Sequence, residues 1–164
     1  MAEAPTGKRP LIAVCGAGTA DPDLNAAAYE TGRLLARAGA VLICGGLGGI
    51  MAAAARGARD GGGLTIGLLP GDKHSDANPY IDLPLPTGLG HARNAVIARS
   101  AQAMIALPGG PGTLSEVALG LKMGRPVIGL GAWFDIRGVR PAATPETAVA
   151  LALESWRGLN DDII

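Results

Sequence analysis

Short apolar runs punctuate the chain, each closed by glycine or proline, and most are followed by a longer stretch whose apolar residues return every three or four positions. The first run, Leu11–Cys15, leads through Gly16-Ala17-Gly18-Thr19 to Asp21-Pro22-Asp23, a helix start with Asp21 or its neighbour as cap and Pro22 in the first turn. Ala27, Leu34, Leu35 and Ala38 then share one side of a helix that Gly39 ends. A second run, Val41–Cys44, passes through Gly45-Gly46-Leu47-Gly48-Gly49 into an alanine-rich helix over 50–60 with Arg56 and Arg59 on its wet face. Further strands are predicted at 64–69, 80–83, 104–107 and 126–130. Further helices are predicted over 90–101, from Thr113 onward, and from Thr144-Pro145, where Thr144 caps. Residues 70–79 and 131–143, the latter with Trp133 and Phe134, read as irregular, and 158–164 as an acidic, frayed tail.

Strands that alternate with helices at this spacing imply right-handed crossovers. The expected class is α/β: a single Rossmann-like doubly wound sheet, mainly parallel, with helices on both faces. A chain of 164 residues is most simply one domain, able to bury roughly 70% of its unfolded surface. Sheets of this kind bind ligands beyond the carboxyl ends of their strands, where the strand order reverses. The glycine loops at 16–18, 45–49 and 109–112 all follow strand ends and so share one edge, with Gly16, Gly18, Gly45 and Gly46 as candidate ligand-binding positions. Arg93 shares a helix face with Val96 and Ile97. A guanidinium does not enter a core cheaply, so Arg93 is expected over the end of the sheet, while Arg99 points outward.

The stretch Pro108-Gly109-Gly110-Pro111-Gly112-Thr113 joins a strand to a helix that carries Glu116. Glycines allow close approach of backbone to a ligand. The first N–H groups of the helix have no partner inside it, and its dipole favours an anion. Gly109, Gly110, Gly112 and Thr113 are therefore candidates for holding a phosphate. Thr113 and Glu116 also spell a capping box, in which both side chains only satisfy helix-start donors; spacing alone leaves both readings open.

Composition narrows the field. Apolar residues make up 48% of the chain but aromatics only 3%, so packing rests on Ala, Val, Leu and Ile, with glycine allowing elements to approach. A formal net charge of zero removes the broad basic field of a protein that grips nucleic acid through phosphates. Cys15 and Cys44 lack C-x-x-C spacing and read as buried small hydrophobes in a reducing compartment. The first ten residues lack the apolar core and cleavage site of a signal peptide, and no apolar run nears the length of a membrane span, so a soluble cytoplasmic protein is expected.

The rim's chemistry is narrowed in the same way. Gly16-Ala17-Gly18 lacks the third glycine of a dinucleotide fingerprint, and Cys44-Gly45 stands where an acid would hold the ribose, which argues against NAD. No Gly-Lys-Ser or Gly-Lys-Thr occurs. His74 and His91 have no companions at ligand spacing, and Lys8, Lys73 and Lys122 no Schiff-base context, so neither a metal nor a resident cofactor is expected. A phosphate cradle beside one arginine and one carboxylate suits a nucleoside monophosphate. Cleavage of an N-glycosidic bond, with its oxocarbenium-like transition state, suits a carboxylate.

Pro108-Gly-Gly-x-Gly-Thr-x-x-Glu116, His91-x-Arg93-Asn94-Ala95 and Gly45-Gly46-x-x-Gly49-Ile50-Met51 together resemble the LONELY GUY phosphoribohydrolases and their wider superfamily, over roughly residues 11–130. The resemblance implies catalytic roles for Arg93 and Glu116, phosphate binding by Gly109 to Thr113, a ligand contact at Asn94, and a homodimer or dimer of dimers. It implies release of a free base and ribose 5-phosphate from a nucleoside 5'-monophosphate. Ser115 stands where those enzymes carry a further acid, and Asn94 where they carry lysine. In these features, and in Thr87-Gly-Leu-Gly-x-Ala-Arg-Asn94, the chain is closer to a bacterial branch similar to molybdenum cofactor carrier proteins. The expected partner is thus a small phosphorylated ligand, a nucleoside monophosphate or a pterin phosphate, handled by a hydrolase, a carrier or a nucleotide sensor.

Overall fold

Every ladder between strands is parallel, as short apolar runs separated by helices require. The computed structural model describes residues 7–19, 21–131 and 135–161. Within them β1 (Leu11–Cys15), β2 (Val41–Cys44), β3 (Thr65–Leu69), β4 (Leu83–Pro86), β5 (Ala103–Ala106), β6 (Val127–Leu130) and β7 (Val139–Ala142) form one sheet in the order β4-β3-β2-β1-β5-β6-β7. The order reverses between β1 and β5, which pair with Ile12 opposite Ala103 and Cys15 opposite Ala106. The expected Rossmann-like architecture is therefore present and wholly parallel.

Alternation along the strands distributes the helices. Ile12, Val14, Leu42 and Ile105 pack on one face with Leu35 of α1 (Pro22–Arg37), Ala54 of α2 (Ile50–Asp60) and Ala152 of α5 (Pro145–Asp161). Ala13, Cys15, Ile43 and Met104 pack on the other with Ile97 of α3 (Arg93–Ser100) and Val117 of α4 (Pro111–Lys122). Asp21 caps α1 as expected, its Oδ1 accepting from Asp23 N at 3.1 Å and Leu24 N at 3.0 Å.

Several boundaries differ from the sequence expectation. The fourth strand lies at Leu83–Pro86 rather than 80–83. Residues 80–82 are held by a side chain instead of a ladder: Thr65 Oγ1 donates to Tyr80 O (2.7 Å) and accepts from Asp82 N (2.8 Å). Thr87 N donates to Leu69 O at 3.1 Å, so odd-numbered residues bond to β3 while Pro84 and Pro86 turn nitrogens without N–H to the open edge. The two prolines thereby blunt an edge strand. β7 is a strand within the segment expected to be irregular; Arg140 and Pro141 are exposed on this edge and carry no apolar signal. The helix predicted over 90–101 is a 3₁₀ turn at Gly90–Ala92 followed by α3, and α5 continues to Asp161, through residues expected to fray. Trp133, Phe134, residues 1–6 and 162–164 lie outside the described residues.

With few aromatics to fill space, α1 and α2 meet at glycines. A Cβ on Gly32 would collide with Ala54 O, and one on Gly57 with Tyr29 O. Gly→Ala inside a helix ordinarily stabilises by about 1 kcal/mol. Here the sign should reverse: Gly32→Ala and Gly57→Ala are each expected to cost about 2 kcal/mol or more in urea unfolding, because backbone must move to admit the methyl. Unchanged or raised stability would contradict this packing.

Candidate functional site

The loops that follow β1, β2 and β5 are stitched together at the point where strand order reverses. Ala17 N donates to Pro108 O at 2.9 Å, and Ile50 N, at the start of α2, donates to Ala17 O at 2.9 Å. Gly49, with φ of +60°, lets Ala17 O lie where a side chain would be. Gly16, Gly45 and Gly46, expected to contact a ligand, are buried, and the space beside each is occupied by Ile50, Arg93 with Met51, and Leu69 respectively. They make room for the site's supports. Gly18 is exposed, with open space beside it.

The loop after β5 ends in α4, whose first turn has no side-chain cap. Gly110 is the capping residue and Pro111 the first of the helix. Leu114 N bonds back to Gly110 O at 3.0 Å; ahead of it the amides of Gly110, Gly112 and Thr113 have no acceptor among the described residues. Gly110 and Gly112 are exposed with open space beside them. Gly109 is packed beneath the Thr113 hydroxyl and Ala17 N. The capping box allowed by Thr113 and Glu116 does not form. Because α4 begins two residues earlier than Thr113, Glu116 lies beyond the first turn on the inner face of the helix.

Arg93 is 7% exposed and lies over the ends of β2 and β3. Its Nε donates to Leu68 O at 2.7 Å, one Nη to Gly45 O at 3.3 Å, and the other to Asn94 Oδ1. Asn94, 3% exposed, accepts from Arg93 at Oδ1 and donates from Nδ2 to Ser115 Oγ at 2.9 Å. Ser115 Oγ in turn donates to Gly112 O at 2.6 Å. The sequence marked Ser115 only as a departure from an acid and not as a site residue, although its place three residues after Gly112 is the spacing of a hydroxyl that bonds back along a helix.

Glu116, 8% exposed, receives no hydrogen bond from the described residues. The ion pairs among those residues, Arg33 with Glu30 and Arg59 with Asp82, lie elsewhere. Burial pushes the Glu116 carboxyl up to about 7, against the opposing pull of the Arg93 charge. Burial likewise holds Arg93 below its ordinary value, with Glu116 acting the other way. The two groups thus sense each other without forming a salt bridge. Burial pushes the Cys44 thiol up to about 12 and also raises Cys15, so both stay protonated and unreactive. Beside the loop after β2, Tyr29, Arg56 and Tyr80 border an open cleft along α1 and α2 that Gly49 also lines.

A parallel sheet with glycine loops at its reversal point, an uncapped helix start and a buried arginine and glutamate beside it define a Rossmann-like protein of the LOG type. Residues 9–154 match the SLOG cluster4 family, and the chain belongs to it. It is 44% identical over 144 residues to an uncharacterized protein of Archaeoglobus fulgidus, spanning 88% of this chain and 95% of that one. It is 38% identical over 95 residues to the rice (Oryza sativa subsp. japonica) cytokinin riboside 5'-monophosphate phosphoribohydrolase LOG, covering 56% of this chain and 39% of the enzyme. The structure of the molybdenum cofactor carrier protein from Chlamydomonas reinhardtii superposes with a TM-score of 0.82 at 36% identity, covering 92% of this chain and 99% of that one.

Because Glu116 binds its proton more tightly when folded than an ordinary glutamate at 4.5, the stability it contributes is complete below about 4.5 and is lost as pH rises through about 7. Glu116→Gln, neutral at every pH, should therefore gain on the wild type between pH 5 and pH 8 by on the order of 2 kcal/mol. Urea unfolding at the two pH values checks this; a constant difference would contradict it.

Proposed function

We propose that the protein binds a nucleoside 5'-monophosphate and hydrolyses its base–ribose bond. The observation that carries this reading is a buried, unpaired carboxyl at Glu116 on the same helix as the unbonded amides of Gly112 and Thr113, with the Arg93 charge opposite. The phosphate sits on the amides of Gly110, Gly112 and Thr113, and Gly109 keeps the loop tight enough to aim them. As the glycosidic bond breaks, electrons leave with the base and positive charge develops on the ribose. Ionised Glu116 stabilises that cation or takes a proton from the water whose oxygen adds to the sugar carbon, and that water proton passes to the departing base, giving neutral free base and ribose 5-phosphate. Arg93 orients the carboxylate and the substrate. Similarity to the rice enzyme, which by name acts on a riboside 5'-monophosphate, supports this reading.

A second reading has a specific observation behind it. The chain covers 39% of the rice enzyme but 99% of the carrier protein from Chlamydomonas. The same amides hold the phosphate of a pterin cofactor equally well, and a carrier needs no general base. Either reading includes a cytoplasmic homodimer with no nucleic-acid partner. The exposed apolar side chains of Leu83, Leu85, Leu89, Val96 and Leu114 support self-association.

Incubation with a panel of nucleoside monophosphates, assayed for free base, separates the two. Hydrolysis should fall roughly a hundredfold or more in Glu116→Gln while the affinity for monophosphate is retained. No base released by the wild type, together with saturable binding of a pterin phosphate, would favour the carrier. Base release unaffected by Glu116→Gln would remove the carboxyl from the mechanism.

A further inference from the structure

A guanidinium beside a buried carboxylate normally forms a bidentate pair with it, the strongest arrangement either group can make. Arg93 does not: its Nε and both Nη groups donate to neutral oxygens, those of Leu68, Gly45 and Asn94. Two of these acceptors are backbone carbonyls at strand ends; the third is a side chain, held from its other end. Asn94 Nδ2 is fixed by Ser115 Oγ at 2.9 Å, and the Ser115 proton is committed to Gly112 O at 2.6 Å. The result is a strut that runs from the loop at the start of α4, through two neutral side chains, to the guanidinium.

We propose that Asn94, locked by Ser115, is a positioning residue that holds the Arg93 guanidinium away from Glu116 and so leaves the carboxyl without an ion-pair partner. This deepens the proposed function and rests on it only in taking Glu116 as the working group. The titratable groups facing Glu116 are Arg93 from α3, Cys15 from β1 and Cys44 from β2. Both thiols are kept neutral by burial, so the guanidinium is the one charge among them whose position sets how tightly Glu116 holds its proton. Removing the Asn94 amide leaves a buried N–H of Arg93 without an acceptor, a cost that turning toward Glu116 relieves. An opposite charge drawn into contact lowers a carboxyl's proton affinity by about tenfold or more.

The test is titration of Glu116 in the full-length protein without ligand, by ¹³C NMR of labelled glutamate carboxyls, with the resonance assigned from its loss in Glu116→Gln. Asn94→Ala should lower the Glu116 midpoint by about one pH unit or more. Ser115→Ala should lower it by less in the same direction, and Ser115→Thr, which keeps the hydroxyl, should restore the wild-type value. A strut that only supported packing would lower stability in both alanine variants and leave the midpoint in place, which overturns the proposal. If Asn94→Ala does not fold, an unchanged midpoint in Ser115→Ala overturns it equally. Because no substrate enters this experiment, absence of base release would sink the hydrolase reading alone, and an unmoved midpoint would sink the strut alone.

Discussion

A buried guanidinium must have its donors satisfied, and at Arg93 that requirement organises the rim of the sheet. Leaving such a group without acceptors would cost several kcal/mol. The ends of β2 and β3 meet the demand with carbonyl oxygens, and Gly45 must lack a side chain because the guanidinium fills that space. Asn94 meets the rest and hands the constraint on to Ser115 and the first turn of α4. Strand ends, α3 and α4 are thereby held in one hydrogen-bonded frame. Glu116 alone is left out of it.

The frame accounts for the opposite treatment of two features of α4. Its leading amides are unbonded, those of Gly110 and Gly112 on exposed residues, while its carboxyl sits buried with its proton affinity raised. Such a division is useful to a phosphate-bearing ligand whose other end must be met by an uncharged or newly ionised group. The two departures from the LONELY GUY pattern, Asn94 for lysine and Ser115 for an acid, face each other at 2.9 Å. Both are neutral, so the strut itself adds no charge to the field around Glu116.

Much of this fold was legible in the sequence because it rests on local signals: apolar runs closed by glycine, Asp21-Pro22 at a helix start, and three glycine loops after strand ends. The placement of Arg93 over the sheet end was legible for the same reason, since its helical phase and its charge cannot both be satisfied in a core. What escaped is what only tertiary pairing decides. β7 is held by its neighbour rather than by its own apolarity, and Pro84 and Pro86 are compatible with a strand only once one edge is known to be free. The start of α4 at Pro111, which rules out the capping box, depends on Gly110 rather than on Thr113. Asn94 shows the same limit within the site: its amide bonds its neighbour in sequence at one end and Ser115 of another helix at the other.

The account stands on the claim that the first amides of α4 receive an anion at the rim where Arg93 and Glu116 lie. An ¹H–¹⁵N NMR titration of the full-length protein with adenosine 5'-monophosphate, and with inorganic phosphate in parallel, tests this most directly. Saturable shifts at the amides of Gly110, Gly112 and Thr113 are the predicted result. Shifts confined to the cleft beside Tyr29 and Arg56, with the α4 amides unmoved, would contradict it.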